Sequence, residues 1–429
     1  MEFKYVKFGI ICYTISMIQR KIRKKLILAL QNFKIVILNG ARQSGKTTLV
    51  RDIAKEYNME YITLDDPQKL NLAQIDPKNF LEFYAKKALV IDEIQLAPQL
   101  IPYLKMLVDK RDKKGLFLLT GSADFIKMKK VTESLAGRMV RYKLYPLSNA
   151  EIKNKKNNII EQLFNQDFNR LQNYSFLIEV IKSTIRGGYP EIINYPRELR
   201  DDWFSSYIES RIQKDILELK TISLSKLHLI KLLLRLLATY DAELLNYDKI
   251  AKKLQIDNKT VLSYIELLEA MYIIKIVPSY HVNASLRVIK SPKVHFLDTG
   301  LLCYLLHVDS ENLFLHKDEK YGSLIENFVY SELLKEASYA KSRVDIYHFR
   351  DLRKKEVDLV LEHRNGGIIG IEVKAKATIK KNDLKGMLEL AKASKDRFIH
   401  GIVFYGGEEI TPIVVDEMLF YCIPLGVLG

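Results

Sequence analysis

The chain has 429 residues, 48% hydrophobic and 28% charged, with 19 Gly and 11 Pro; this supplies material for cores and excludes collagen-like, low-complexity and disordered classes. At roughly 150 residues per domain the length predicts about three domains, too many for one small-molecule-binding fold. The 67 Lys and Arg against 52 Asp and Glu leave a formal charge of +15, so polyanions, nucleic acid first among them, are the expected partners.

Three widely separated cysteines, Cys12, Cys303 and Cys422, build neither a disulfide framework nor a zinc pattern, which predicts a reducing cytoplasm. The apolar run Phe8 to Ile18 resembles a signal-peptide core but lacks a small-residue cleavage site and is short of the ~20 residues of a membrane span, so no membrane association is expected. The basic cluster Arg20, Lys21, Arg23, Lys24 and Lys25 follows. Residues 1–16 are therefore read as an appendage to a domain starting near Met17.

From Lys34 the sequence KIVILNGARQSGKTTLV is a short apolar run, a Gly-containing loop and an apolar segment with helical spacing. Gly40, Ala41, Arg42, Gln43, Ser44, Gly45, Lys46 and Thr47, with Thr48 beyond, fit GxxxxGK[ST] between a strand and a helix, the context that makes the motif a phosphate site. Backbone N–H groups and the helix N-terminus would cradle the phosphates of ATP, Lys46 would reach the terminal ones, and the Thr47 hydroxyl would ligate Mg²⁺.

Two further buried strands are expected, ALVIDEIQ at 88–95 and LFLLTGSA at 116–123, and their alternation with helices predicts a parallel sheet covered on both faces. Asp92 and Glu93 close the first of these; after a phosphate loop they read as the Mg²⁺-holding and water-polarising carboxylates rather than a solvated turn. Thr120 and Ser122, at the end of the second, either hydrogen-bond the γ-phosphate or lytic water or cap a local turn. An Asn- and Lys-rich stretch at 153–158 closes the domain near residue 150.

The phosphate loop, IDEIQ, LLTGSA, SLAGR at 134–138 and YPLS at 145–148 together resemble the AAA-type, STAND-like ATP-binding proteins of bacteria and archaea that carry a C-terminal domain of unknown function. The likeness continues through GGYPE at 187–191, FLDTG at 296–300, LIENFV at 324–329 and EVDLV at 356–360, so it covers nearly everything after Met17. It implies that Arg138 is the arginine presented to the nucleotide, often of a neighbouring subunit in a homo-oligomer; a salt bridge in a basic stretch is the other reading. It also implies that Gly188, Tyr189 and Pro190 form a lid motif near base and ribose, where a plain turn is the alternative.

Residues 151–225 are expected to be a helical lid and 226–292 a winged helix-turn-helix. Asn246–Leu254 and Asn258–Ala270 would be its two helices, the second with Val261, Leu262, Ile265 and Leu268 inward and Asn258, Lys259 and Tyr264 toward solvent; IIKIVPSY and LRVIKSP would supply wing strands bearing Arg287, Lys290 and Lys293. Such a unit reads DNA or serves only as a packing module, and Glu266 and Glu269 would oppose phosphate on the recognition helix.

Residues 293–429 read as a separate α/β module: the helix SLIENFVYSELLKE, strands VDIYHFRD, EVDLVLEH and GIIGIEVKA, a polar helix from Asn382 and a last strand FIHGIVFYG. Glu372 and Lys374 lie two apart on one strand and so share a face, where they can meet Asp358 across a hairpin. The D…ExK set resembles restriction-endonuclease-like folds, in which Asp358, Glu372 and the additional acid Glu326 would gather Mg²⁺ and Lys374 would activate water. Alternating Glu and Lys on the outer face of a sheet is the competing reading.

Taken together, the residues predict a multidomain α/β protein, an ATP-hydrolysing, Mg²⁺-dependent P-loop motor or switch coupled to a DNA-binding and DNA-cleaving half. The alternative is a nucleotide-gated regulatory ATPase whose endonuclease-like module is inactive, and an assembly ATPase without nucleic acid is the third class.

Overall fold

The structure, a computed structural model of the full chain, describes residues 18–122, 135–171, 175–212, 216, 224–283, 287, 291–308 and 320–429. The appendage expected at 1–16, together with Met17, Ser134 and Lys290, lies outside the described residues.

Strands β1 (Ile35–Gly40), β2 (Glu60–Thr63), β3 (Leu89–Asp92), β4 (Phe117–Gly121) and β5 (Met139–Leu144) form one parallel sheet in the order β2-β3-β4-β1-β5. Helices α1 (Arg23–Asn32), α2 (Lys46–Glu56), α3 (Pro67–Ile75), α4 (Pro77–Tyr84) and α5 (Leu100–Lys110) accompany it. The continuous apolar runs follow from burial of both faces. Ile35, Ile37, Ile91 and Leu119 enter one core, while Val36, Leu38, Val90 and Leu118 enter the other. β2 has no such run: in EYIT only Ile62 is buried, as befits an edge strand. Asp66 and Asp76 cap α3 and α4, and each helix opens on a proline, where no N–H is needed. Because all five strands are parallel, Gly40, Asp92 and Gly121 meet at one edge of the sheet and Met139 starts at the other.

Helices α6 (Asn149–Ile152), α7 (Ile159–Asn165), α8 (Leu177–Arg186), α9 (Arg197–Ser206), α10 (Leu224–Ala238), α11 (Tyr247–Leu254) and α12 (Asn258–Ala270) follow. The stretch expected to be one lid divides between two cores. Ile160, Leu163, Val180 and Ile181 of α7 and α8 pack with Leu359, Ile371 and Phe404 of the C-terminal sheet, whereas Tyr189 and Phe204 join Leu237, Val261 and Ile265 of the helical middle. Asn246 and Asp257 cap α11 and α12.

Two expected orientations on α12 are reversed: Tyr264 is 3% exposed and Leu262 is 45% exposed. The inward stripe runs Val261, Tyr264, Ile265, Leu268 at helical spacing, and Leu262 falls outside it. β6 (Ile274–Val277) pairs antiparallel with β7 (Lys293–Phe296), so the second strand of this hairpin lies downstream of the LRVIKSP segment in which it was expected.

After α13 (Thr299–Leu306) and α14 (Lys320–Tyr339) come β8 (Val344–Arg350), β9 (Glu356–His363), β10 (Ile368–Lys374), α15 (Lys385–Ser394), β11 (Phe398–Tyr405), β12 (Thr411–Val415) and β13 (Met418–Pro424). The sheet order is β12-β13-β11-β10-β9-β8, with β11 parallel to both β10 and β13 and the other pairs antiparallel. β12 and β13 extend the sheet beyond the last expected strand. β12 is an exposed edge strand containing Pro412, without the apolar run that marks an interior strand. α14 lays Phe328, Val329 and Leu333 on Leu361 and Ile371.

Candidate functional site

The phosphate loop leaves β1 at Gly40 and enters α2 at Lys46. A Cβ on Gly40 would lie 2.1 Å from the Leu144 carbonyl oxygen, so β5 excludes any side chain there. Gly45 sits at φ 92°, a conformation that glycine adopts without strain. The Lys46 ammonium is buried and donates to the carbonyls of Gly40 (2.9 Å) and Ala41 (2.8 Å), which folds it across the mouth of the loop. Ser44 Oγ donates to the Ala41 carbonyl at 2.8 Å, and Thr48 is exposed on the first turn of α2.

Asp92, 1% exposed, collects three hydroxyls: Thr47 Oγ1 and Tyr61 OH each donate to Oδ2 at 2.8 Å, and Thr120 Oγ1 donates to Oδ1. All three of these donors are neutral hydroxyls. Burial, and then the Asp92 charge, push the Tyr61 phenol up to about 12, which keeps it a donor. Glu93 follows at φ 61° with its N–H on Thr120 Oγ1 at 3.1 Å, and its carboxylate accepts from Gln95 Nε2. Gln95 Nε2 also lies 3.1 Å from Ser122 Oγ. Thr120 and Ser122 therefore align the two acids. Both sit at the strand end with their hydroxyls engaged within the protein, by Asp92 and Glu93 for Thr120 and by Gln95 for Ser122.

Three residues that motif reasoning passed over hold this arrangement. Gln95 is visible in IDEIQ but has no assigned role there. Tyr61 lies on the strand that gave no signal. Arg20, read only as one of a basic cluster, donates to the carbonyls of Ser44 and Tyr145 at 2.6 Å each and to Glu151 at 3.1 Å. It thereby fastens the loop to the capping box of Ser148 and Glu151 at the start of α6.

The 188–190 element meets the loop. The Pro190 ring is 3.7 Å from where a Gly45 Cβ would be, and Gln43 Nε2 donates to Glu191 at 3.1 Å. Gly188 is held by both neighbours, its carbonyl accepting from Leu147 N at 2.7 Å and its N–H donating to Asp298 at 2.8 Å.

Arg138 does not meet it. It precedes β5, which pairs Met139 with Ile35 at the N-terminal end of β1; six residues of β1 place it roughly 20 Å from the loop of the same chain. Its guanidinium forms a two-pronged pair with Asp109, Nε to Oδ1 at 2.6 Å and Nη2 to Oδ2 at 3.0 Å. A role at this chain's own nucleotide is thereby corrected to the salt bridge.

In the C-terminal sheet Glu326, Asp358, Glu372 and Lys374 come close enough to act on one another electrostatically, joined by a residue not assigned to them, Lys293 of β7. Lys293 Nζ lies 2.7 Å from Glu326 Oε1, Lys374 Nζ lies 2.5 Å from Glu372 Oε1, and Asp358 Oδ2 accepts from Val373 N at 2.8 Å. Burial opposes the Lys293 charge, but Glu326, Asp358 and Glu356 outweigh it and hold the pKa above the ordinary lysine value. Burial raises Glu326 to about 7 and Glu372 well above the carboxylate range, Asp358 adding to both. His295, 4.0 Å from Glu326, is kept neutral by burial.

The expected metal set of Glu326, Asp358 and Glu372 is not supported. Among the described residues no three His, Cys, Asp or Glu side chains gather as a metal site, and the Lys293 ammonium is paired with Glu326. Arg287, expected on a wing strand, is paired at 2.6 and 2.9 Å with Glu362 and packed over Tyr280 and Tyr347.

Comparison with known proteins follows this division. Residues 32–153 match the family described as AAA domain. They form an AAA-type P-loop domain. Residues 178–312 and 321–428 match two domains of unknown function, DUF8612 and DUF4143. The chain is similar to the uncharacterized protein Rv2008c of Mycobacterium tuberculosis, 28% identical over 84% of this chain and 74% of that one. It is also similar to the uncharacterized protein MJ1544 of Methanocaldococcus jannaschii, 24% identical over 94% and 88%. Among solved structures, the Walker-type ATPase of Pyrococcus abyssi aligns with 68% of this chain and 96% of its own at 16% identity and a TM-score of 0.41. No helix among the described residues is long and apolar enough to cross a membrane.

Proposed function

We propose that the protein is an ATP-hydrolysing, Mg²⁺-dependent switch whose C-terminal half is regulatory and does not cut nucleic acid. The observation that carries the first part is the alignment of Thr47, Asp92 and Glu93 at the mouth of the loop, with Thr47 Oγ1 2.8 Å from Asp92 Oδ2. This hydroxyl and this carboxylate suit a hard, oxygen-liking cation. Thr47 and Asp92 would hold Mg²⁺, which when bound offsets charge on the β- and γ-phosphates. Lys46 leaves its two carbonyl acceptors for the phosphate oxygens, and the loop N–H groups orient the triphosphate. Glu93 takes the proton of the attacking water as the new P–O bond forms at the γ-phosphorus. The bond to the β–γ bridging oxygen breaks and ADP leaves with its electrons. Pro190 and Glu191 sit where closure over the loop would report nucleotide to the helical middle. In a homo-oligomer Arg138 would serve a neighbour's nucleotide after exchanging Asp109 for phosphate.

The regulatory reading of the C-terminal half rests on Lys293. An endonuclease-like module needs a free negative site for metal, and here lysines already neutralise two of the three acids. The hairpin of β6 and β7, read as a wing, spends Lys293 and Arg287 on internal pairs, which leaves α11 and α12 as a packing unit more than a reading head. DNA stays the proposed partner on the formal charge of +15 alone.

Three measurements test this. Mg²⁺-dependent ATP turnover should be present in the parent and lost in Lys46→Ala. Retention on duplex DNA should fall steeply with salt; no retention at any salt would leave the assembly ATPase. Metal-dependent cleavage of duplex, single-stranded or branched DNA, abolished by Asp358→Ala, would overturn the regulatory reading.

A further inference from the structure

The Glu93 carboxylate accepts hydrogen bonds and donates none, so the edge of the Gln95 amide that faces it carries the N–H group. That settles which way the amide points: Nε2 toward Glu93 and Ser122, Oε1 away. Gln95 Oε1 is buried, with no donor among the described residues. A buried carbonyl oxygen left without a donor carries a desolvation cost that a ligand's O–H would relieve.

The turn that produces this is specific. Glu93 is held at φ 61°, in the left-handed region that residues other than glycine seldom adopt, by its N–H on Thr120 and by Leu96 N on its own carbonyl at 3.0 Å. The short helical turn Ile94–Leu96 then swings Gln95 back beside it. The Glu93 backbone is thus fixed on both sides, and the remaining freedom of its carboxylate is taken up by one group, the Gln95 amide.

We propose that Gln95 is a water-orienting residue of the ATPase site: its N–H holds the Glu93 carboxylate and its oxygen accepts an O–H of the water that attacks the γ-phosphate. The water is then held by two acceptors, one that takes its proton and one that sets its direction. Ser122, at the end of β4, accepts from the same Nε2 at 3.1 Å, so a movement of that strand end would loosen the amide that holds Glu93. This rests on the proposed ATP hydrolysis and adds a second residue to its chemistry.

Steady-state turnover, with nucleotide affinity measured separately by a fluorescent ATP analogue, tests it in the full chain. Gln95→Ala should lower kcat by about 10- to 100-fold with KM and analogue affinity within about threefold of the parent. Gln95→Glu, which puts a like charge against Glu93, should bind nucleotide and turn over no faster than Gln95→Ala. In Glu93→Gln/Gln95→Ala the loss should equal that of Glu93→Gln alone, because the two act on one water. Parent-like turnover in Gln95→Ala, multiplied losses in the double variant, or a parallel fall of affinity and turnover would each overturn the role of Gln95. A parent that binds ATP and never hydrolyses it would overturn the ATPase reading itself.

Discussion

Two groups of carboxylates gather in this chain, and they differ in what answers their charge. Asp92 is met by the hydroxyls of Thr47, Tyr61 and Thr120, whereas Glu326 and Glu372 are met by the ammonium groups of Lys293 and Lys374. Hydroxyls steady a carboxylate and leave its field intact, so it can still attract a divalent ion; ammonium groups cancel the field. The charge of the partners separates them.

The comparison breaks most sharply at the phosphate loop. Lys46→Ala should abolish ATP binding, because the backbone cradle alone does not neutralise the terminal phosphates, while Glu93→Gln should bind ATP and lose turnover by at least ~100-fold. Isothermal titration beside a phosphate-release assay checks both, and a parallel fall of binding and turnover in the two variants would refute the division of roles.

Next in size is Lys293→Ala, which removes the ammonium paired with Glu326. Loss of one partner of a buried pair costs about 3–5 kcal/mol, and Glu326→Gln in the same chain should restore much of it, as a denaturant titration would show. An additive loss in the double variant would mean that the pair is not the source.

A smaller effect concerns pH. Burial raises Glu326 in the folded chain to about 7 from an ordinary 4.5, so between those values the folded state holds the extra proton. This contribution to stability is present below about 4.5 and is lost as pH rises through 7. Melting temperatures from pH 5 to 8 should fall less in Glu326→Gln than in the parent. The least effect is expected at Asp109→Ala: the pair with Arg138 is exposed, and neither melting temperature nor this chain's ATP affinity should change measurably.

The phosphate loop was legible because its chemistry is local. Gly45 must adopt a positive φ, Lys46 must follow it, and a buried run must precede it, all within one short segment. β1, β3 and β4 announced themselves by burial on both faces. β2 and β12 did not, because edge strands bury little. Inward and outward positions on α12 differed from expectation at Tyr264 and Leu262, where one residue of rotation decides which side meets the core.

Sequence by itself determined the loop and the acids that follow it in chain order, since each depends on residues a few positions apart. Tertiary structure alone decided which groups answer those acids. Gln95 reaches Glu93 only through a tight turn, and Tyr61 reaches Asp92 from a neighbouring strand. Arg138 is carried to the far edge of the sheet by parallel register, and Lys293 enters the acid cluster from a hairpin 33 residues before Glu326. Electrostatics acts through space over a few ångströms, and no local pattern records which distant cation the fold will bring within that reach.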